Sequence, residues 1–324
     1  MTRVQTVLGD IHPADLGRCQ THEHVVCDQR LAPRSSLHES TREVEETFMI
    51  LDDYPRAVQE LEDYGERGGQ AVVEVTTSGW GRDVKTLAEI SRQSGIHIIA
   101  TGGFYIEPCI PYRVDEWSID RLTRDLVQEV TVGVEGTGIK VGVLKSGIYR
   151  SRIEGIEEKA LRAVARASLL TGVAITTHTT GSRRYEIPGG NMGREHLRVL
   201  EEEGVRADRL IVGHVDERPD LDFLCALADA GCYIQLDTVG KLRWLRDETR
   251  AQLVLGLIAR GHLSRILLST DRCRKAELYR ERGGLGYTYI FDSFLDTLQA
   301  SGVTAGQIDQ LLIANPARAF SLPG

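Results

Sequence analysis

The chain has few cysteines: six in 324 residues, at Cys19, Cys27, Cys109, Cys225, Cys232 and Cys273, with no Cys-x-x-Cys among them. Dilute, scattered cysteines in a chain of this size point to reduced thiols rather than a disulfide framework, and to a cytoplasmic home. Basic excess is lacking too. Lys and Arg number 39 against 47 Asp and Glu, a formal net charge of −8, which argues against a general nucleic-acid surface. No apolar run approaches the length of a membrane span, and the N-terminal stretch lacks a signal peptide's charged start and apolar segment, so no membrane partner is expected. No linker, repeat or low-complexity segment divides the chain, and no Gly-x-Gly-x-x-Gly follows the first strand-like run, which weakens the case for a doubly wound dinucleotide-binding sheet.

What is present is ordinary in bulk, 41% hydrophobic and 27% charged, and ordered in pattern. Short β-rich runs occur at 18–26, 70–77, 97–105, 139–148, 173–180, 210–216, 233–240 and 265–271. Between them lie amphipathic stretches such as 83–95, 156–172 and 192–204. Eight strands alternating with helices predict a single (β/α)8 TIM barrel over 1–324, an α/β fold, with "VQTVLGDIHPADLG" forming a short N-terminal β-hairpin.

The segment "QTHEHVVCD" carries His22 and His24 two residues apart. On a helix these side chains would diverge; on a strand they share a face, with Glu23 turned the other way. In such barrels chemistry sits at the carboxyl ends of the strands. The other strand ends supply Lys145, His178, His214 and Asp271, so four of the nine histidines gather on one face. Imidazoles converging with a carboxylate suit zinc and other divalent transition metals; His97 and His262 read as structural or surface groups. Lys145 shares parity with Ile139, Val141 and Val143, which predicts a core-facing amine. Burial there should lower its pKa, and a neutral amine can add carbon dioxide to give a carbamate able to bridge two cations. An uncarboxylated catalytic or salt-bridged lysine is the alternative.

The set "THEH", "GVLK", "TTHT", "VGHVD" and "STD", with the late "ANPARAF", resembles the phosphotriesterase-like branch of the amidohydrolase superfamily over nearly the whole chain. The likeness is nearest to the phosphotriesterase-homology and sugar-phosphate-lactonase subgroups. It implies two divalent metal ions, zinc first with manganese, cobalt or iron compatible. His22, His24 and Asp271 match the ligands of the more buried ion, His178 and His214 those of the more exposed one, and Lys145 the carbamate bridge derived from CO2. Asp271 also matches the family's proton acceptor, and Tyr105 a pocket tyrosine of lactonase relatives. The implied chemistry is attack on a carbonyl or phosphoryl group by a hydroxide held between the metals.

Substrate class is where the chain departs from its relatives. Thr238 stands after Asp237 where acyl-homoserine lactonases carry arginine. Lys241 and Arg274 sit where sugar-phosphate lactonases hold a phosphate, but the tyrosine expected three residues beyond Arg274 is Glu277. An insertion at 181–191 adds Arg183 and Arg184, and Lys275 completes a set of candidate substrate-binding cations. The expected activity is hydrolysis of a carboxylic ester or lactone bearing a phosphate or carboxylate. The alternatives are a phosphotriesterase-type or amide hydrolase on the same centre, or a ligand-binding barrel without turnover. The expected partner is a small-molecule substrate, and a homodimer is compatible.

Overall fold

The computed structural model describes residues 2–34, 49–148, 152–179 and 192–322. Its first two strands, Val4–Thr6 and Gly9–Ile11, form the expected antiparallel hairpin. Then come eight barrel strands: β1 (Cys19–Glu23), β2 (Ala71–Glu74), β3 (His97–Gly103), β4 (Val143–Ile148), β5 (Ile175–Thr179), β6 (Leu210–Val212), β7 (Tyr233–Leu236) and β8 (Ile266–Leu268). Each is parallel to the next, in sequence order from β1 to β8. Helices connect them, among them Val84–Ser94, Gly155–Thr171, Leu221–Ala230 and Asp247–Ala259. Asp83 caps the first of these by accepting from Lys85 N and Thr86 N, and left-handed glycines, Gly95 and Gly172, end the first two. No helix among the described residues is long and apolar enough to cross a membrane.

The barrel is nearly closed, and side chains stitch the seam between β8 and β1. Ser269 Oγ accepts from His22 N at 2.8 Å, and Asp271 N donates to His22 O at 3.2 Å. The Glu23 carboxylate points away from the axis, as strand alternation predicted, and accepts from Ser269 Oγ, Thr270 N and Thr270 Oγ1 at 2.7–2.8 Å and from Arg272 N at 2.9 Å. One buried carboxylate therefore supplements that backbone bond where a regular ladder would run.

Inside the barrel Cys19, Val73, Ile99, Val143, Ala174, Ile211, Tyr233 and Leu267 form one buried cluster. Val4 and Leu16 near the chain start and Ala319 and Phe320 near its end join that cluster from below. Stepping by two from this layer along β4, β5, β7 and β8 leads upward to Lys145, His178, Asp237 and Asp271, so the alternation that fills the floor also delivers these polar groups. β1 needs a correction to that rule, because Cys19 and His22 have opposite parity. A register irregularity between Gln20 and Glu23 supplies the missing residue. β4 departs from expectation as well: it begins at Val143, not Ile139, and Val141 packs in the outer layer with the helices rather than in the barrel interior. The Gly138–Gly142 approach to the strand is irregular backbone, which breaks the parity read from the sequence.

Candidate metal centre

Strand ends bring His22, His24, His214 and Asp271 together, all nearly or fully buried. His24 Nε2 lies 3.5 Å and His22 Nε2 3.9 Å from Asp271 Oδ1. Their far nitrogens are already engaged: His24 Nδ1 pairs with Thr76 Oγ1 at 2.7 Å, and His22 Nδ1 lies 3.2 Å from Gln235 Oε1 and 3.1 Å from Asp237 Oδ2. A histidine whose Nδ1 is held this way presents its Nε2 lone pair inward, the arrangement metal ligands require. His22 Nε2 is buried with no hydrogen-bond partner among the described residues. Across the site His214 Nδ1 donates to Asp237 Oδ1 at 2.8 Å, and its Nε2 lies 2.6 Å from His178 Nδ1. Two backbones are bent to achieve this: His214 and Asp271 have left-handed φ values of 55° and 49°, an uncommon setting for a side chain-bearing residue.

Asp237 serves two imidazoles with one carboxylate, through Oδ2 to His22 and Oδ1 to His214. Burial alone would raise its pKa, yet His214 and His22 hold it well below the usual carboxylate range. The reciprocal effect is on His214: burial lowers its pKa, but the Asp237 charge outweighs this and lifts it to about 9. At His24 and His178 the Asp271 charge does not outweigh burial and the neighbouring cations, and both are driven well below 6.5. The opposed shifts of His214 and His178, 2.6 Å apart, set the two imidazoles on different footings within one contact. Because Asp237 faces the Nδ1 atoms, its geometric grouping with His22 and His214 is that of a support rather than a ligand.

Lys145 lies within β4, pairing across to Gly103 and Thr176. Its side chain is fully buried, and Nζ has no hydrogen-bond partner among the described residues. Burial, opposed by the Asp271 and Glu74 charges, lowers its pKa from 10.5 to about 8, so a neutral amine is within reach at ordinary pH. Tyr105 and Trp80 stack at 4.7 Å and 4° beside it, with Nζ 4.8 Å from the Tyr105 ring centre. Tyr105 Oη is 3.4 Å from His178 Nδ1.

The phosphotriesterase family profile matches residues 2–320. The chain belongs to the phosphotriesterase family. Among relatives of this phosphotriesterase-family member, the phosphotriesterase homology protein of Escherichia coli is 35% identical over 271 residues, covering 83% of this chain and 90% of that protein. The N-acetyltaurine hydrolase of Bos taurus is 31% identical over 97% of this chain and 96% of its own. A lactonase structure from Listeria monocytogenes superposes with a TM-score of 0.88 at 28% identity, covering 99% and 100% of the two chains. With named hydrolases and a lactonase around it, this family member is a hydrolase, and turnover replaces the ligand-binding alternative.

On the substrate side, the structure pairs the expected cations with carboxylates. Lys241 Nζ donates to Asp271 Oδ2 at 2.5 Å, Arg274 to Glu277 Oε1 at 3.0 Å, and Lys275 Nζ contacts Asp52 Oδ1 at 2.6 Å. Lys241 keeps Asp271 well below the usual carboxylate range against the opposing effect of burial. Arg183 and Arg184 lie outside the described residues. Sequence reasoning passed over Asp237, Gln235, Thr76 and Trp80. Asp237 was findable, because it closes the same inward column, Tyr233–Gln235–Asp237, that marked the other strand ends. Trp80 follows β2 in a loop on the site face, and no spacing marks it.

Proposed function

We propose that this phosphotriesterase-family hydrolase cleaves a carboxylic ester or lactone bearing an anionic group, with two divalent metal ions held by His22, His24, Lys145, His178, His214 and Asp271. The observation that carries the reading is the inward convergence of the His22 and His24 Nε2 atoms on Asp271 Oδ1, beside a buried Lys145 Nζ that has no hydrogen-bond partner among the described residues. Buried polar atoms left unpartnered are costly, and a carbamate on Lys145 would turn that orphan into a ligand of the ions. When bound, such ions supply Lewis acidity toward a scissile carbonyl and lower the pKa of water.

The protein's own groups do the rest. Asp237 and Gln235 fix His22, and Thr76 fixes His24, so the ligand set is organised before anything binds. Asp271 accepts the proton released as water attacks; held so acidic by Lys241, it passes that proton on rather than keeping it. Tyr105, backed by Trp80, offers its hydroxyl beside His178 to the nucleophile or leaving group. The N-acetyltaurine hydrolase relatives favour a second reading, an amide in place of the ester or lactone, on the same residues.

Elemental analysis coupled to a panel of lactones, esters, amides and phosphotriesters tests the proposal. About two transition-metal ions per chain are expected, lost together with activity on chelation. Undiminished hydrolysis by metal-free protein would overturn it.

A further inference from the structure

Glu74 ends β2, opposite Glu23 of β1, and is fully buried. Three donors converge on its carboxylate. Val25 N at 3.3 Å and Thr76 Oγ1 at 2.5 Å reach Oε1, and Thr76 N at 3.2 Å reaches Oε2. Burial pushes its pKa up to about 7 against these donors and the Lys145 charge, so the fold holds a carboxylate there at a cost. On its other side the Thr76 hydroxyl lies 2.7 Å from His24 Nδ1, which makes one continuous chain from Glu74 through Thr76 to an imidazole of the centre.

The direction of that chain follows from counting protons. A hydroxyl has one to give, and an ionised carboxylate only accepts. Thr76 therefore donates to Glu74 and has to accept from His24. The proton of the neutral ring then sits on Nδ1, and Nε2, 3.5 Å from Asp271 Oδ1, keeps its lone pair. Without Thr76 and Glu74 the balance would tip the other way, because the Asp271 carboxylate faces Nε2 and favours a proton there, the form that cannot ligate a metal. The place of the ring has other supports. Tyr287 Oη donates to His24 O at 2.6 Å, and Trp80 meets the imidazole edge-on at 4.6 Å. What the Glu74–Thr76 chain adds is the choice of tautomer.

We infer that Glu74 is a positioning residue of the centre: acting through the Thr76 hydroxyl, it selects the Nδ1–H tautomer of His24 and so keeps Nε2 open for an ion. This rests on the reading of His24 as a metal ligand, and it extends the support of that ligand one residue beyond the group that touches it.

The test reads the tautomer directly, in the metal-free full chain carrying isotope-labelled histidine, by long-range proton–nitrogen correlation spectra at about pH 8.5, where Glu74 is ionised. The His24 signals are those lost in His24→Asn. The native ring should show the Nδ1–H form. Thr76→Val removes the acceptor and should move the proton to Nε2, whereas Thr76→Ser keeps a hydroxyl and should read as native. Glu74→Gln offers three donors a single accepting oxygen. Of the three only the threonine hydroxyl can turn round, so a share of His24 should shift to Nε2–H. Zinc affinity, measured by competition with a chromogenic chelator, should fall roughly tenfold in Glu74→Gln and in Thr76→Val. It should stay native in Thr76→Ser, and the two losses should not add when Glu74→Gln and Thr76→Val are combined. A native Nε2–H tautomer, a tautomer unmoved in Glu74→Gln, or losses that add in the double variant overturn the inference. If the tautomer follows Glu74 while the native chain takes up no zinc, the metal-centre reading fails and the control of His24 by Glu74 stands.

Discussion

Asp237 holds the imidazoles of His22 and His214 on its two oxygens, so a single substitution should loosen both halves of the centre at once. Asp237→Asn keeps the shape but not the charge, and metal affinity is expected to fall on the order of 10–100-fold, measured by competition with a chromogenic chelator. Lys145 makes a different prediction. While protonated and buried, it destabilises the folded state; that cost is full below about 8 and fades as pH rises toward its ordinary 10.5. Lys145→Met should therefore raise the stability of metal-free protein, by on the order of 3 kcal/mol at about 1.4 per pKa unit, while abolishing metal uptake. Denaturant titrations with and without metal separate the two effects. Since carbon dioxide adds to the neutral amine, metal loading in bicarbonate should also speed up as pH climbs through about 8. A loading rate flat with pH would remove the carbamate from the account. At this scale the sequence was informative wherever a residue's chemistry was unusual for its place. His-x-His, a core-facing lysine and an aspartate at a strand end each stood out, whereas Thr76 and Gln235 are ordinary polar residues whose importance lies only in what they touch.

Among the elements, the seam between β8 and β1 is the place where the fold depends on one side chain. Glu23 collects four donors there, and those donors belong to the segment that carries Asp271. Glu23→Ala strands buried hydroxyl and amide groups, each costing about 1–3 kcal/mol. A loss of that order in denaturant midpoint, together with weaker metal binding, is expected; loss of stability with metal affinity unchanged would show the seam to be mechanically separate from the site. Strand order and helix positions were legible from periodicity, the amphipathic stretch at 83–95 becoming the helix Val84–Ser94. The irregularity in β1 and the late start of β4 were not. Both depend on backbone geometry set by neighbouring strands, and neither leaves a mark in the spacing of apolar residues.

Taken whole, the molecule keeps its chemistry at one end of the barrel and its closure at the other. Val4, Leu16 and Phe320 fill the floor against Val73, Ile99 and Leu267, far along the strands from the histidines. Phe320→Ala should cost about 3–5 kcal/mol by emptying that floor, yet kcat per folded, metal-loaded molecule should hardly change. A thermal melt alongside activity normalised to bound metal would check this, and a fall in normalised kcat would mean that the floor and the mouth communicate. The arrangement also explains why fold class was easier to read than substrate. The floor and walls follow a pattern that recurs from strand to strand, but the loops after β7 and β8 make pairings, such as Arg274 with Glu277, that follow no repeat.

The left-handed backbone at His214 and Asp271 complicates the usual alanine scan of such a centre. Aspartate and asparagine tolerate that conformation better than alanine does, so Asp271→Ala removes a ligand and strains a turn in the same stroke. Asp271→Asn removes the charge alone. The gap between the two variants measures the backbone's share, and at His214 the corresponding pair is His214→Asn and His214→Ala. Positions such as His22 and His178, on extended strand, need no such control.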